Sequence, residues 1–442
     1  MPLSLISETY TPEAEPSAPR FDRTYPLKPP FNLQDTSAFT AGQPFAAFKT
    51  MREQAPVMWH PEQDGAGFWA LTRYADVRAV DLDVKRFSSQ RGGIMMTYGR
   101  DDARHPLLHR ASLDTLICLD EPYHMPLRRE HMGFFTPAYI NELRKSVETK
   151  VSSLLDAMAE QGPVVDMVAL FSAELPLHTL CEMLGVPEAD RARIVHWMHF
   201  LELAGYMMQQ EDLGNIDPET INEFLQEVQA MFDYGRDILL DRRKNPREDL
   251  LSAIANARID GELLQDEFLD GSWLLIIFAG NDTTRNSLSG TMKLLTEFPQ
   301  QRAKLMENMA LMPNMVNEAV RMISPVMYMR RTAVEDVNIG GQEIGAGEKV
   351  VMYYGAANRD PSHFPEPDVF DIERANAKSH LAFGIGPHVC LGQRVANMQL
   401  EEAYRQILTR FPQARWTGDG EIAPNNFVHA ISRLEIDLGP EA

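Results

Sequence analysis

The sequence predicts a mainly α-helical protein with a minor β-sheet region, of the α+β class. Three long segments carry apolar residues three and four positions apart, the period of an amphipathic helix: residues 139–160, 219–241 and 262–298. Strand-like patterns are confined to residues 67–74 and 328–354, and Gly340-Gly341 indicates a hairpin turn in the second. Because helices and strands do not alternate along the chain, we do not expect a doubly wound parallel sheet.

The chain has 442 residues, of which 44% are hydrophobic and 24% charged, as is typical of a globular protein with a large core. The composition stays even after residue 36, so we expect residues 36–442 to form a single large domain. Residues 1–35 include the proline-rich stretch 11–30, which lacks apolar periodicity. We predict that they form an extended N-terminal arm on the surface.

The net charge of −21 argues against a nucleic-acid-binding protein and against docking onto anionic lipid. The sequence shows neither a signal-peptide pattern nor an apolar run of bilayer length, so we expect no membrane anchor. Only three cysteines are present, Cys118, Cys181 and Cys390, which is too few for a disulfide framework. These features predict a protein of the reducing cytoplasm, and we expect a monomer.

Residues 380–394, HLAFGIGPHVCLGQR, place Cys390 in a glycine-rich loop just before a predicted amphipathic helix. A lone cysteine is more often a small buried hydrophobe than a reactive group. Here, however, Gly386 and Gly392 allow backbone conformations closed to other residues and let a flat ligand approach the main chain. The positive end of the following helix would stabilise a thiolate. The loop therefore presents a sulfur anion beside open backbone donors.

Four kinds of site could explain a cysteine in such a loop. A structural zinc site needs four ligands, and only His388 lies near Cys390 in the sequence. A dinucleotide-binding turn needs a third glycine, which does not follow Gly384 and Gly386 at the required spacing. Nucleophilic cysteine catalysis is compatible with the loop. A single axial thiolate ligand to haem iron fits a chain that uses one cysteine best.

The pattern Phe-x-x-Gly-x-His-x-Cys-x-Gly at residues 383–392 resembles the haem-binding signature of the cytochrome P450 superfamily, soluble bacterial type. The resemblance extends from about residue 67 to the C-terminus and implies the P450 fold, one large domain that encloses haem b. It implies that Cys390 is the metal ligand and that His388 reaches a haem propionate. The loop residues implied to contact the haem are Phe383, Gly384, His388, Cys390 and Gly392.

Three further side chains are implied to bind the haem propionates. His124 and Arg128 stand i, i+4 in DEPYHMPLR, residues 120–128, at a predicted helix start. Arg331 in YMRRTA, residues 328–333, is the third, with Arg330 as the alternative one position away. Two carboxylates inside a protein need cationic donors, so the cluster has a physical purpose. The resemblance also makes Glu318 and Arg321 a buried structural pair.

Residues 275–290, LIIFAGNDTTRNSLSG, combine a helical pattern with a poor helix interior at their centre. Threonine hydroxyls there can bond to the preceding turn and distort the helix. The segment resembles the oxygen-binding helix of the family. By that resemblance, Ala279 and Gly280 leave room for oxygen, while Asp282 and Thr283 are the catalytic pair that delivers protons.

The expected function is that of a monooxygenase that inserts one oxygen atom from O2 into a C–H bond of an apolar small molecule, an alkane, fatty acid or terpenoid. Its electrons would come from a [2Fe–2S] ferredoxin and ferredoxin reductase, docking near Arg129 and Arg394. Candidate substrate-binding residues share an apolar character: Met95, Met96, Leu275, Val326, Phe427 and Val428. Tyr98, Phe200, Leu203, Ile276 and His429 are secondary candidates.

Two alternatives to this function remain. A steroid or aromatic hydrocarbon hydroxylase of the same fold would share every haem-site residue. A non-catalytic haem sensor is a different class, and the Asp282–Thr283 pair argues against it, because a sensor needs no proton delivery.

Overall fold

The computed structural model describes residues 32–62, 65–96, 106–209 and 218–442. These cluster into two compact units. The first comprises Ser88–Tyr139 and Leu180–Asn281; the second comprises residues 32–87, Ile140–Thr179 and Asp282–Ala442. Helices dominate and the sheets are small, which confirms the predicted class. The predicted N-terminal arm lies almost wholly outside the described residues.

The α-helices, in chain order, are α1 (Phe45–Gln54), α2 (Tyr74–Leu82), α3 (Pro106–Leu113), α4 (His124–Met132), α5 (Pro137–Gln161), α6 (Glu174–Leu184), α7 (Arg191–Gln209), α8 (Pro218–Lys244), α9 (Leu250–Ala255), α10 (Asp266–Ala279), α11 (Asp282–Glu297), α12 (Pro299–Glu307), α13 (Met312–Ile323), α14 (Tyr354–Ala357) and α15 (Gln393–Arg410). The strands are β1 (Val57–Glu62), β2 (Gly65–Leu71), β3 (Phe87–Ser88), β4 (Val164–Asp166), β5 (Arg258–Ile259), β6 (Glu262–Leu263), β7 (Tyr328–Ala333), β8 (Val337–Ile339), β9 (Gln342–Ile344), β10 (Lys349–Tyr353), β11 (Arg415–Ile422) and β12 (Ile431–Asp437).

Helix α10 is packed closely on two sides in the first unit, because glycines face it or lie on it. A Cβ atom at Gly235 of α8 would come within 2.5 Å of the Trp273 indole of α10. A Cβ atom at Gly271 of α10 would come within 2.6 Å of the Asp114 backbone. The Trp273 indole N–H donates to the Met231 carbonyl at 3.0 Å. These contacts fix the helix that carries several of the predicted site residues.

The second unit contains a five-stranded sheet of order β1-β2-β10-β7-β3, in which β10 runs parallel to β2 and antiparallel to β7. A second sheet has the order β11-β12-β4. The β8–β9 hairpin turns at Gly340 and Gly341, both at positive φ, as the sequence predicts. The β11–β12 pair escaped the sequence analysis because the exposed run Thr417–Gly420 interrupts its strand pattern.

The helical prediction for residues 262–298 is wrong in two places: Glu262–Leu263 form β6, and the rest contains two helices instead of one. Helix α10 ends at Ala279, Gly280 caps it, and α11 begins at Asp282. The break falls where Gly280, Asn281 and Asp282 have low helix propensity, so the poor helix interior noted in the sequence marks a true interruption.

Helix α13 contributes a fully buried ion cluster to the second unit. Glu318 and Arg321 are both 0% exposed, and the guanidinium of Arg321 binds the carboxylate of Glu318 through two contacts of 2.7 and 2.8 Å. Arg374 donates to the same carboxylate at 2.9 Å, and so does the Asp371 amide at 3.1 Å. Arg321 also donates to the Asn358 carbonyl. The pair therefore ties α13 to the irregular segment that precedes the cysteine loop.

We predict that Glu318→Gln lowers the free energy of unfolding by about 3–5 kcal/mol, because it leaves two guanidinium groups buried without a counter-charge. Urea denaturation followed by circular dichroism measures the change. The matched control is Glu142→Gln, since Glu142 is exposed and pairs with exposed Lys145; it should shift stability by no more than about 0.5 kcal/mol. Equal effects of the two substitutions would contradict a stabilising role for the buried cluster.

Burial also keeps one histidine of α4 neutral. His131 is buried, and burial lowers its pKa from 6.5 to about 4. Between these two values the unfolded chain binds a proton that the folded chain does not. Acidification through this window therefore lowers the free energy of unfolding, and the contribution of His131 is intact above pH 6.5.

We predict that His131→Leu flattens this dependence. From pH 7 to pH 5 the variant should lose about 2 kcal/mol less stability than the parent protein, because its contribution no longer titrates. Urea denaturation at a series of pH values measures the slope. Met132→Leu changes an exposed residue of the same helix that does not titrate, and it should leave the slope as it is; the prediction is wrong if His131→Leu does the same.

Candidate functional site

Cys390 is exposed in its loop, whereas Cys118 and Cys181 are buried. The Cys390 amide donates to the Phe383 carbonyl at 2.8 Å, which closes the loop. Helix α15 begins three residues after the cysteine, with Gly392 at its N-cap. The sulfur therefore stands just before a helix N-terminus and is accessible, as the sequence predicts.

Glycines keep the approach to this sulfur open. Gly384 and Gly386 have φ values of 68° and 77°, a region that other residues rarely adopt. A Cβ atom at Gly392 would meet no atom closer than the Cys390 Sγ atom, which would be 4.0 Å away. The main chain beside the sulfur can thus be covered by a flat ligand without a clash.

The donor set fits haem better than a protein-bound metal ion. Within the described parts of the chain, no group of three or more His, Cys, Asp or Glu side chains could hold a metal ion. Those residues therefore do not provide the four-ligand set that a structural zinc ion at Cys390 would need. One accessible thiol before a helix N-terminus, flanked by glycines, suits a single axial ligand to a planar iron complex.

Arg331, a predicted propionate ligand, is held by a residue that the sequence analysis did not identify. Its guanidinium lies 2.8 Å from the carboxylate of Asp81, and the two side chains are 2% and 1% exposed. A second guanidinium nitrogen donates to the Arg330 carbonyl at 2.9 Å. Arg330 is also buried, and the alternation of a strand places it on the opposite side of β7. Asp81 is 250 positions from Arg331 in the sequence, so no local pattern reveals the pair.

In the first unit, the predicted pair His124 and Arg128 begins α4, as expected from the sequence. Both side chains are buried, and their i, i+4 spacing puts them on one face of the helix. The helix thus carries two cation-forming groups on one buried face.

The predicted oxygen-site residues lie at the break between α10 and α11. Leu275, Ile276 and Gly280 are partly accessible and Ala279 is exposed, although Leu274 and Ile277 beside them are buried. An accessible stripe therefore runs along one side of α10 in the first unit.

Helix α11 of the second unit starts with Asp282 and Thr283, both half-buried. Asp282 lies 3.3 Å from Arg285, and its backbone carbonyl accepts from the Asn286 side chain at 2.7 Å. The Ser287 hydroxyl donates to the Thr283 carbonyl at 2.8 Å. Asn286 and Ser287 thus donate to carbonyls of the preceding turn, a kind of bond that the sequence analysis expected of the threonine hydroxyls.

Three of the predicted substrate-binding residues come together in the second unit. Val326 and Val428 form an antiparallel bridge, and the Met327 amide donates to the Phe427 carbonyl at 2.8 Å. Phe427 and Val428 are buried, while Val326 is partly accessible. The segments 325–327 and 427–429 therefore build one apolar wall.

The remaining candidates lie elsewhere. Met95 and Met96 belong to the first unit, with Met96 buried. Phe200 packs on Phe224 with ring centroids 5.1 Å apart. Burial lowers the pKa of His429 to about 4, so this residue is neutral at physiological pH. Tyr98 lies outside the described residues, as does the side chain of Leu203.

Among the described residues, no helix combines the length and the apolar character required to span a membrane.

Comparison of the sequence and the fold with those of known proteins covers most of the chain. Residues 207–427 match the profile of the family described as Cytochrome P450. Linalool 8-monooxygenase of Pseudomonas putida is 32% identical over 416 residues, covering 93% of this chain and 99% of that protein. The methyl-branched lipid omega-hydroxylase of Mycobacterium tuberculosis is 32% identical over 403 residues, covering 88% and 90%. The structure of Mycobacterium marinum cytochrome P450 CYP268A2 in complex with pseudoionone aligns with a TM-score of 0.82 and 33% identity, covering 94% of this chain and 99% of that one.

A likeness of this extent, in sequence and in fold, comes with the loop that the family uses to ligate haem b. The chain belongs to the cytochrome P450 family of haem monooxygenases.

Proposed function

We propose that this P450 hydroxylates an apolar small molecule, an alkane, fatty acid or terpenoid, with electrons from a [2Fe–2S] ferredoxin and its reductase. The observation that carries the proposal is the apolar wall formed by Val326, Phe427 and Val428. A wall without charged groups binds a guest by excluding water from its hydrocarbon surface. The names of the relatives point the same way, since they act on linalool and a methyl-branched lipid, or hold pseudoionone.

In this proposal Cys390 holds the haem iron. The bound haem would supply the oxygen chemistry, and a thiolate ligand would favour O–O cleavage. Phe383, Gly384 and Gly392 belong to the loop that bears the sulfur, and His388 would bind a propionate. Ala279 and Gly280 leave space beside the break between α10 and α11.

Asp282 and Thr283 move protons in this proposal. The Asp282 carboxylate is 22% exposed and lies 3.3 Å from Arg285, so it can exchange a proton with solvent while its charge is balanced. The neighbouring Thr283 hydroxyl then carries the proton inward.

In the second unit we propose Arg331 as a ligand of a haem propionate. Taken separately, His124 and Arg128 of the first unit are proposed as propionate ligands from the family resemblance. Arg331 already forms an ion pair with Asp81, so it would bind two carboxylates at once, that of Asp81 and that of a propionate. The fork of N–H donors on a guanidinium allows this. Arg128 is buried on the same helix face as His124. Each of these side chains can offer an N–H donor to an anionic oxygen.

The electron donor would contact Arg129 and Arg394, which are both exposed. Local basic side chains are needed because the chain as a whole carries a net charge of −21. We further propose a monomeric enzyme of the cytoplasm, where reducing conditions suit three cysteines that form no disulfide.

Substitution of the proposed iron ligand tests the haem-thiolate site. The reduced, carbon monoxide-bound parent protein should absorb at about 450 nm, as haem with a thiolate ligand does. Cys390→Ser should lose this band, because a hydroxyl does not replace the thiolate. Cys118→Ala, which removes a buried thiol, should keep it. A band that survives in Cys390→Ser would assign the iron to another ligand.

A binding screen tests the substrate class. Alkanes, fatty acids, terpenoids and steroids are titrated into the protein, and the shift of the haem absorption maximum reports binding. We expect an alkane, fatty acid or terpenoid to bind more tightly than any steroid, and Val326→Ser to weaken that binding roughly tenfold because apolar contact is lost. Val369→Ser alters an exposed valine and should leave the affinity unchanged. Tightest binding by a steroid would replace the proposed class with the alternative one.

A further inference from the structure

One buried carboxylate in the second unit joins three separate segments. Asp81 of α2 is 1% exposed and accepts from the Arg331 guanidinium of β7 at 2.8 Å. It also accepts from the Tyr354 hydroxyl at the start of α14 at 3.1 Å. Its third donor is the backbone amide of Ile385, at 3.0 Å. Ile385 lies in the loop that ends at Cys390.

The bond to Ile385 falls where the loop most needs an external restraint. Ile385 stands between Gly384 and Gly386, and both glycines adopt positive φ. Glycines have the largest conformational freedom of any residue, so they do not hold this geometry by themselves. A bond from an amide to a charged acceptor is stronger than one to a neutral acceptor. Asp81 therefore restrains the loop between its two most permissive positions.

The loop packs closely against α2 at both glycines. A Cβ atom at Gly384 would stand 3.3 Å from the Asp81 carboxylate. A Cβ atom at Gly386 would stand 2.8 Å from the Leu82 side chain, next along α2. The side chain of Ile385 packs on the apolar cluster of the unit. The loop is thus pressed against the C-terminal end of α2, with its Ile385 amide directed at the carboxylate.

The charge of Asp81 is balanced inside the same contact set. Burial raises the pKa of the Asp81 carboxyl above its ordinary value, and Arg331 with the bonds from Ile385 and Tyr354 offsets only part of that rise. Without Arg331 the carboxylate would be an uncompensated buried charge, and without Asp81 the guanidinium would be one. The two groups therefore stabilise each other's orientation.

We propose that Asp81 is a positioning residue for the haem ligand. It fixes the Ile385 amide and so the Cys390 loop, and it fixes the guanidinium of Arg331 at the same time. The inference rests on the proposed role of Cys390 as the iron ligand. Asp81 thereby links the loop that bears Cys390 to Arg331, the arginine that is proposed to bind a propionate.

Hydrogen exchange of the haem-loaded protein tests the restraint directly. In the parent protein the Ile385 amide should exchange at least about a hundredfold more slowly than in an unstructured peptide, because it is bonded and packed. Exchange at the unstructured rate would overturn the proposal without any variant. In Asp81→Ala the same amide should exchange at least about tenfold faster than in the parent. Unchanged exchange there would also overturn it.

A conservative variant separates positioning from general stability. Asp81→Asn retains an oxygen that can accept from Ile385 but loses the charge that strengthens this bond and balances Arg331, so the exchange rate should lie between those of the parent and Asp81→Ala. Exchange as fast as in Asp81→Ala would contradict the role of the acceptor. Asp83→Ala removes a carboxylate just beyond the end of α2 that pairs with exposed Arg86, and it should leave the Ile385 amide protected.

The carbon monoxide spectrum gives the second readout. In Asp81→Ala the band near about 450 nm should decay faster on warming than in Asp83→Ala, while the helical circular dichroism of the two variants remains equal. Equal decay would overturn the proposal. A parent protein without the band would instead refute the haem-thiolate function, so the two failures are distinguishable.

Discussion

The central constraint on this structure comes from the proposed haem site, in which a charged sulfur at Cys390 would have to be accessible and yet fixed in position. Burial would raise the cost of the charge, and a flexible loop would leave the sulfur without a defined direction. The loop of Cys390 meets both demands through its backbone. Its amide bonds back to Phe383, two glycines adopt positive φ, and α15 directs its N-terminus toward the sulfur. These contacts come from the backbone of the loop itself, and the side chain of Asp81 adds a further one from outside it.

Paired charges hold the parts of the second unit where regular structure is sparse. Between the end of α14 and the start of α15, the chain forms only short 3-10 turns. Glu318 binds Arg321, Arg374 and the Asp371 amide at one end of this stretch. Asp81 binds the amide of Ile385 near the other end. Both carboxylates are buried with their guanidinium partners, so the loss of one group leaves the other as a buried charge without a counter-charge. Charge-assisted bonds thus replace a helix or strand as the support of the cysteine loop.

Local patterns in the sequence predicted the features that depend on neighbouring residues. The spacing of apolar residues located α5 and α8, and Gly340-Gly341 located a hairpin. The low helix propensity around Asn281 marked a disturbed helix, although the full interruption between α10 and α11 appeared only in the structure. Asp81 could not be found in this way, because it meets Arg331 and Ile385 across 250 and 304 positions of the chain. The role of each site residue remains a prediction from resemblance.

The contact with Asp81 changes how Arg331 has to be understood. From the sequence alone, Arg331 is a cation whose N–H groups are all available to an anionic ligand. In the structure one of its nitrogens already binds a carboxylate and another binds the Arg330 carbonyl. Five N–H groups in a planar fork leave donors for a further oxygen, but only in directions that the first two bonds permit. Asp81 therefore reduces the net charge that Arg331 offers and defines its geometry. A ligand carboxylate at this position would gain more from a preorganised donor than from an excess of positive charge.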